Sequence, residues 1–183
     1  VYLDALRAVE ALANQKEVDE KRIGCMGKSQ GGALALVATA LNNTFGPEFN
    51  LKAQVKAITA AIPFLADFRQ GYRMQREGPL DELAWYFRLH DPAHEKEEKI
   101  FATLDYFDIV HFAPWLGKET AALVSMSLKD TVCPPPTIYS LYKALPGRKK
   151  ILVYPEYEHE VPDVYVDEQI AFLAKELELE LEL

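Results

Sequence analysis

A glycine-rich hexapeptide at residues 27–32, Gly-Lys-Ser-Gln-Gly-Gly, restricts the folds open to this chain more than any other feature. The apolar run at 22–27 predicts a short buried strand before it, and the Ala- and Leu-rich stretch at 33–41 predicts a helix after it. A serine on such a strand-to-helix turn is held in a strained conformation that exposes its hydroxyl at the carboxyl end of a sheet. We therefore interpret Ser29 as a candidate nucleophile.

The geometry of this turn predicts the size or the function of three neighbours of Ser29. Because the turn is tight, we expect the residues two before and two after the serine, Gly27 and Gly31, to be small. The backbone N–H of Gln30 is expected to point at the oxyanion of an attacked carbonyl, aided by the dipole of the following helix. The alternative is an ordinary glycine-rich connection with an unreactive serine. A phosphate-binding loop is excluded, because the Gly-x-x-x-x-Gly-Lys spacing is absent.

Strand and helix signals alternate along the rest of the chain. Apolar, β-branched runs predict further strands, and amphipathic patterns predict helices between them. This alternation favours an α/β fold, a mostly parallel sheet with helices on both faces. The additional strands are predicted at 55–62, 121–127 and 150–154, and the helices at 2–13, 137–145 and 163–175.

Three other segments interrupt this alternation. The polar segment at 42–47 predicts a loop. The charged stretch at 67–115, punctuated by Gly and Pro, predicts several short helices inserted over one end of the sheet, inside a domain at 1–175. The tail at 176–183 alternates Glu and Leu with period two, which contradicts a continuing helix and predicts a frayed end.

A nucleophilic serine needs a general base, and the base needs an acid that orients it. On this type of sheet the order along the chain is Ser, then Asp or Glu, then His, each just past a strand. Asp130 follows the strand that ends at Ser127 by three residues, and His159 follows the strand that ends at Tyr154 by five. The sequence therefore predicts a catalytic triad of Ser29, Asp130 and His159.

Other residues of the same types have weaker claims. His90, His94 and His111 follow no predicted strand, and we interpret them as surface or core histidines. His90 and His94 have metal-ligand spacing, but no third ligand stands at a recognisable offset, so no metal site is predicted. Cys133 has no histidine at a familiar offset and is interpreted as a small buried residue. The rival acids, which lie before the third strand, are Asp67, Asp105 and Asp108.

Composition narrows the functional classes. With 183 residues, 49% hydrophobic and 26% charged, the chain is expected to form one globular domain. The net charge of −8 argues against nucleic acid or an anionic membrane as a partner. Two cysteines are too few for a disulfide framework, and both are expected to be reduced. With no membrane span or signal peptide visible, the expectation is a cytoplasmic protein.

Several segments together resemble one family. The hexapeptide at 27–32 resembles its Gly-x-Ser-Gln-Gly elbow, and the stretch at 129–135 resembles its Asp-x-x-Cys-Pro-Pro loop. The resemblance extends in the same order to Pro-Phe-Leu at 63–65, Thr-Leu-Asp-Tyr-Phe-Asp at 103–108, Tyr-Pro at 154–155 and His-Glu at 159–160. On these motifs the chain resembles the acetyl xylan esterases and cephalosporin C deacetylases, carbohydrate esterase family seven of the α/β-hydrolases.

The resemblance implies a serine esterase that removes O-acetyl groups from small acetylated sugars, such as xylooligosaccharides, and from cephalosporins. It implies no cofactor and no metal, and an intracellular homo-oligomer. Carried over to this chain, Ser29 attacks the acetyl carbonyl, His159 is the general base, and Asp130 holds its tautomer. The N–H of Gln30 is then one of two oxyanion donors.

The chain also departs from the family pattern. Lys28 stands where the family has a small residue, and the Val-Pro pair at 161–162 stands where glycines are usual. The N-terminal half of the family, which supplies the first strands and a second oxyanion donor, has no counterpart in these 183 residues. The predicted domain is therefore incomplete at its N-terminus. Two alternatives stay open: a non-catalytic fragment, and a peptidase or lipase on the same fold.

Overall fold

The computed structural model describes residues 1–74 and 78–180. Four strands form a single sheet in the order β1-β2-β3-β4, and every neighbouring pair is parallel. The predicted parallel α/β architecture is therefore confirmed. The strands are β1 Ile23–Lys28, β2 Val55–Ala61, β3 Ala121–Ser127 and β4 Lys149–Tyr154.

In the part of the chain that the structure describes, eight α-helices connect or flank these strands. In chain order they are α1 Tyr2–Ala13, α2 Gln30–Phe45, α3 Phe68–Met74, α4 Asp81–His90, α5 Glu97–Leu104, α6 Ile109–Phe112, α7 Pro135–Ala144 and α8 Asp163–Glu176. Two short 3₁₀ helices lie at Asp105–Phe107 and Ala113–Leu116. Among the described residues, no helix combines the length and the apolar character that a bilayer crossing requires.

The two central strands carry the core. In β2 and β3, small and β-branched side chains are buried on both faces of the sheet, as helix-covered parallel strands require. Helices α2 and α7 pack against one face, where Leu36, Val124 and Ile138 share a buried cluster. Helix α8 covers the other face, where Tyr165 packs on Leu123. The sheet is therefore sandwiched between two helical layers.

The sheet has two edges, and β1 forms the edge that carries the elbow. It pairs only with β2 in the described part of the chain, and Met26 on it is 58% exposed. Gly24 allows α8 to approach this strand, because an added Cβ would lie 3.1 Å from the side chains of Leu173 and Leu177. In the described residues, β1 is therefore an exposed edge of the sheet.

The segment between β2 and β3 is helical in its described residues, as its charge pattern predicts. Helices α3, α4 and α5 close on a small separate core of Phe68, Phe87 and Phe101. Helix α8 ends at Glu176, where the alternating tail begins, and residues 181–183 of that tail lie outside the described residues.

One predicted loop is wrong. The segment at 42–47 was expected to be irregular, but α2 continues through it to Phe45. The buried amide of Asn42 donates to the carbonyl oxygen of Ala53 at 2.9 Å, and Asn43 donates to the carbonyl oxygen of Leu116 at 2.9 Å. These tertiary hydrogen bonds outweigh the low helix propensity of asparagine.

Candidate active site

Ser29 lies between β1 and α2 with its backbone at φ 53° and ψ −122°. A non-glycine residue adopts this conformation only where the surroundings enforce it. Its N–H donates to the carbonyl oxygen of Ala61 at 2.8 Å, and its own carbonyl oxygen accepts from the N–H groups of Ala33 and Phe64 at 3.2 and 3.1 Å. Strand β2 and the first turn of α2 therefore hold the strained turn from both sides.

The small residue that this turn requires is Gly27. A Cβ atom added there would lie 2.2 Å from the carbonyl carbon and oxygen of Gly31, which leaves no room for any side chain. Gly32 also packs closely, because its added Cβ would lie 3.1 Å from the carbonyl oxygen of Gly27.

The prediction that the residue at position 31 must be small is wrong. A Cβ added to Gly31 would meet no heavy atom within 4 Å beyond its immediate surroundings. The reason is that the backbone carbonyl of Gly31 faces Gly27, whereas a side chain at position 31 would point into open space. The turn is therefore constrained at Gly27 and Gly32.

The structure brings the three residues of the predicted triad together. The Nε2 atom of His159 lies 3.1 Å from the Oγ atom of Ser29, and its Nδ1 atom lies 2.9 Å from the Oδ2 atom of Asp130. The side chain of Asp130 is fully buried, whereas that of His159 is 29% exposed. This is the hydrogen-bonded chain of nucleophile, base and orienting acid that acyl transfer requires.

Two backbone N–H groups fix the carboxylate of Asp130. The Oδ1 atom accepts from Val132 at 2.8 Å and from Cys133 at 2.7 Å. With Oδ1 satisfied by the turn that leads into α7, Oδ2 is left to face His159. The carboxylate is therefore held in one orientation by its own loop.

The loops that carry the acid and the base are bound to each other. The hydroxyl of Ser127 donates to the carbonyl oxygen of Glu160 at 2.8 Å. The N–H of Leu128 donates to the carbonyl oxygen of Tyr154 at 3.0 Å, and the N–H of Lys129 to that of Tyr157 at 3.0 Å. These contacts set the separation between Asp130 and His159 through backbone geometry.

The predicted oxyanion donor, Gln30, lies at the start of α2, directly after Ser29. Gln30 is the first residue of that helix, and the first N–H groups of a helix have no acceptor within it. Its N–H is therefore available to an anion developing beside Ser29. A cavity of about 550 Å³ opens next to Gln30, with Tyr2, Leu65 and Phe107 among its lining residues.

The rival histidines lie outside the triad, and two of them contact aromatic rings. The ring of His94 stacks on Phe87, with centroids 4.5 Å apart, and its Nδ1 atom lies 2.6 Å from a carboxylate oxygen of Glu97. The ring of His90 lies 5.1 Å from that of Tyr86, and His111 is exposed on α6.

The rival acids have structural partners. Asp108 accepts hydrogen bonds from the N–H groups of Asp67, Phe68 and Val110. Burial raises the pKa of Asp108 against the lowering effect of these donors. The carboxylate of Asp67 accepts from the hydroxyl of Ser140 at 2.8 Å, and Asp105 lies 3.9 Å from the guanidinium of Arg69.

Cys133 has a position in the site that sequence reasoning did not identify. Its side chain is buried, as predicted, but the Ser29 hydroxyl lies close enough to lower its pKa against the larger raising effect of burial. Its Sγ atom, a carboxylate oxygen of Asp130 and a ring nitrogen of His159 lie within 4.8 Å of one another. The Asp-x-x-Cys spacing was the available signal, because an aspartate accepts from the N–H groups two and three residues on. Cys133 and Cys25 are both free thiols.

Known proteins are similar to this chain in sequence. The family model described as acetyl xylan esterase (AXE1) matches residues 1–177. The acetyl esterase Axe7A of Xylanibacter ruminicola is 30% identical over 159 residues, which cover 87% of this chain and 32% of that protein.

Two solved structures have the same fold. Acetyl xylan esterase 1 from Thermoanaerobacterium sp. JW/SL YS485 is 33% identical, with a TM-score of 0.86 over 96% of this chain and 52% of that one. The acetyl xylan esterase from Paenibacillus sp. R4 is 33% identical, with a TM-score of 0.85 over 95% of this chain and 51% of that one. The chain thus spans about half the length of these solved relatives. It has the α/β-hydrolase fold and belongs to the acetyl xylan esterase family.

Proposed function

We propose that this chain is a serine esterase that removes O-acetyl groups from small acetylated carbohydrates through an acetyl-enzyme at Ser29. The observation that carries the proposal is the hydrogen-bonded series in which His159 lies 3.1 Å from Ser29 and 2.9 Å from Asp130. Membership of the acetyl xylan esterase family supports the acetyl ester as substrate. Acetylated xylooligosaccharides are the first substrates proposed, and cephalosporins the second.

The proposed reaction begins with attack of the Ser29 Oγ atom on the acetyl carbonyl carbon, while its proton passes to the Nε2 atom of His159. Asp130 stabilises the imidazolium that forms, and the N–H of Gln30 donates to the oxyanion. His159 then returns the proton to the sugar oxygen, which leaves as an alcohol. Water, activated by His159, attacks the acetyl-enzyme and releases acetate.

The cavity beside Gln30, the residue that follows Ser29, supports a small substrate. The cavity of about 550 Å³ beside Gln30 falls in the range of small-molecule sites. Aromatic side chains of Tyr2 and Phe107 line it, and such rings offer flat apolar surface to a sugar ring. This arrangement supports a sugar ring as the group that carries the acetyl ester.

The test is acetate release from acetylated xylooligosaccharides, measured for the chain and for Ser29→Ala, His159→Ala and His111→Ala. We expect removal of Ser29 or His159 to lower kcat by about 10⁴-fold or more, because the two act as a unit. His111→Ala removes an exposed histidine that is not part of the triad and is expected to keep the native rate. Cephalosporin C is assayed in parallel for the second substrate.

The outcome separates the proposal from the non-catalytic alternative. Circular dichroism first establishes that each variant folds. Native acetate release that survives in Ser29→Ala would contradict the proposed nucleophile. A folded native chain that releases no acetate would support a binding or assembly role for this part of the family.

A further inference from the structure

Three side chains with different metal-binding atoms converge beside the nucleophile. Asp130 offers a carboxylate oxygen, Cys133 a sulfur and His159 a ring nitrogen, and these atoms lie within 4.8 Å of one another. The first two residues are buried, and His159 is partly exposed. Thiolate, imidazole and carboxylate are the ligands that zinc takes in proteins. In the described residues no other trio of such groups converges in this way.

The spacing is close to that of an occupied site. With all pairs within 4.8 Å, some point lies within about 2.8 Å of the three donor atoms. Zinc requires about 2.0–2.3 Å to nitrogen, oxygen and sulfur, so shifts of roughly half an ångström in the donor atoms complete the site. The Nδ1 atom of His159 and the Oδ2 atom of Asp130 are already 2.9 Å apart. His159 lies on a loop between β4 and α8, so its ring is the ligand best placed to adjust.

We propose that Zn²⁺, or another thiophilic divalent cation, binds reversibly to Asp130, Cys133 and His159 and inhibits the enzyme. The ion is an inhibitor here and takes no part in acyl transfer. Binding follows from the donor geometry alone, whereas inhibition rests on the proposed esterase function. Three protein ligands leave a fourth coordination position for water.

Binding of the ion removes the general base. The Cys133 thiol loses its proton to solvent and binds as a thiolate. His159 stays neutral, but the ion takes the Nδ1 lone pair, so the ring proton moves to Nε2. The nitrogen that faces Ser29 then carries a proton and cannot accept the one from the hydroxyl. The metal-bound form is therefore inactive even if the substrate still enters.

The chain offers a matched control for the thiol. Cys25 is the only other cysteine, and it is also free and largely covered. It lies on β1, where its side chain contacts Thr39 of α2 and belongs to no cluster of metal-binding groups in the described residues. If the cation binds at the triad, replacement of Cys133 must weaken its binding and replacement of Cys25 must not.

The binding test is a Cd²⁺ titration of the chain, followed by the ultraviolet charge-transfer absorption of a metal-thiolate bond, with Zn²⁺ as competitor. We expect one absorbing site per chain in the native protein, Cys25→Ser and Ser29→Ala. The absorption should be absent in Cys133→Ser and Cys133→Ala, two replacements that differ in polarity. No band in the native chain, or a band that persists in both Cys133 variants, would overturn the proposal.

The inhibition test uses the same proteins and a neutral acetyl ester. Zn²⁺ should inhibit the native chain and Cys25→Ser with a half-inhibition concentration equal to the Kd from the competition titration. Cys133→Ser, compared with its own metal-free rate, should need at least tenfold more Zn²⁺. Inhibition that is equal in both cysteine variants would refute the inhibitory site. A band without any native esterase activity would instead refute the proposed function and leave the metal site standing.

Discussion

At the scale of single residues, reactivity here depends on a strained backbone. Ser29 has a positive φ, and the strain is supported by hydrogen bonds to Ala61, Ala33 and Phe64. Strain of about 1–3 kcal/mol persists at a single residue only when packing enforces it. The strained turn at Ser29 therefore lowers the stability of the fold, and it requires the backbone of Gly31 to lie close to Gly27.

The two elbow glycines give a sharp residue-scale prediction. Gly27→Ala places a Cβ atom 2.2 Å from the backbone of Gly31, so the turn must open. We expect the free energy of unfolding to fall by about 3 kcal/mol, at the upper end of overpacking. Gly31→Ala meets no such contact and is expected to change stability by less than about 1 kcal/mol. Urea denaturation of both variants is the measurement, and an equal loss in both would contradict the structure.

The triad could be predicted from the sequence because its members occur in a fixed order along the chain, each just after a strand. Ser29, Asp130 and His159 each follow a strand, and parallel strands bring their carboxyl ends to one edge of the sheet. The Asp-x-x-Cys spacing indicates the hydrogen bond from the N–H of Cys133 to Asp130, but the approach of its sulfur to His159 depends on how the turn after β3 folds back. The space around Gly31 was predicted wrongly for a different reason, because a sequence motif does not give the direction in which a side chain would point.

At the scale of elements, strand ends were predictable and helix ends less so. The predicted bounds of β3 match the structure, and those of the other strands lie within one residue of it. Runs of β-branched and small residues between polar turns set these limits. Helix α2 begins earlier than predicted, at Gln30, directly after Ser29. It also ends later than predicted, because Asn42 and Asn43 form tertiary hydrogen bonds that no local sequence pattern contains.

The element-scale prediction concerns Asp108, which joins the helical segment to the turn after β2. Its carboxylate accepts from the N–H groups of Asp67, Phe68 and Val110 at 2.9–3.0 Å. Asp108→Ala leaves these donors without an acceptor, and we expect a loss of about 3 kcal/mol in the free energy of unfolding. Asp105→Ala removes only a 3.9 Å surface contact with Arg69, so a change within about 0.5 kcal/mol is expected.

Thermal and urea unfolding of the two aspartate variants are compared directly. A large loss of unfolding free energy in Asp108→Ala, with native-like stability in Asp105→Ala, would establish that the Asp108 carboxylate joins the helical segment to the turn after β2. Matching small effects would mean that water replaces the side chain without cost.

At the scale of the whole molecule, the chain is a four-stranded part of a larger family architecture. It spans 52% of the Thermoanaerobacterium enzyme and 32% of the Xylanibacter enzyme. The described residues nevertheless contain the hydrogen-bonded series of Ser29, His159 and Asp130. Homo-oligomer formation and a cytoplasmic location stay predictions, because they depend on surfaces and signals that the fold does not reveal.

The central claim is that Ser29, His159 and Asp130 act together as a nucleophilic triad in this chain. The most direct measurement is the intact mass of the chain, and of Ser29→Ala, after exposure to a serine-directed phosphonate. The account predicts one covalent adduct per native chain and none on the variant. A folded native chain that stays unlabelled, or an adduct that persists in Ser29→Ala, would contradict it.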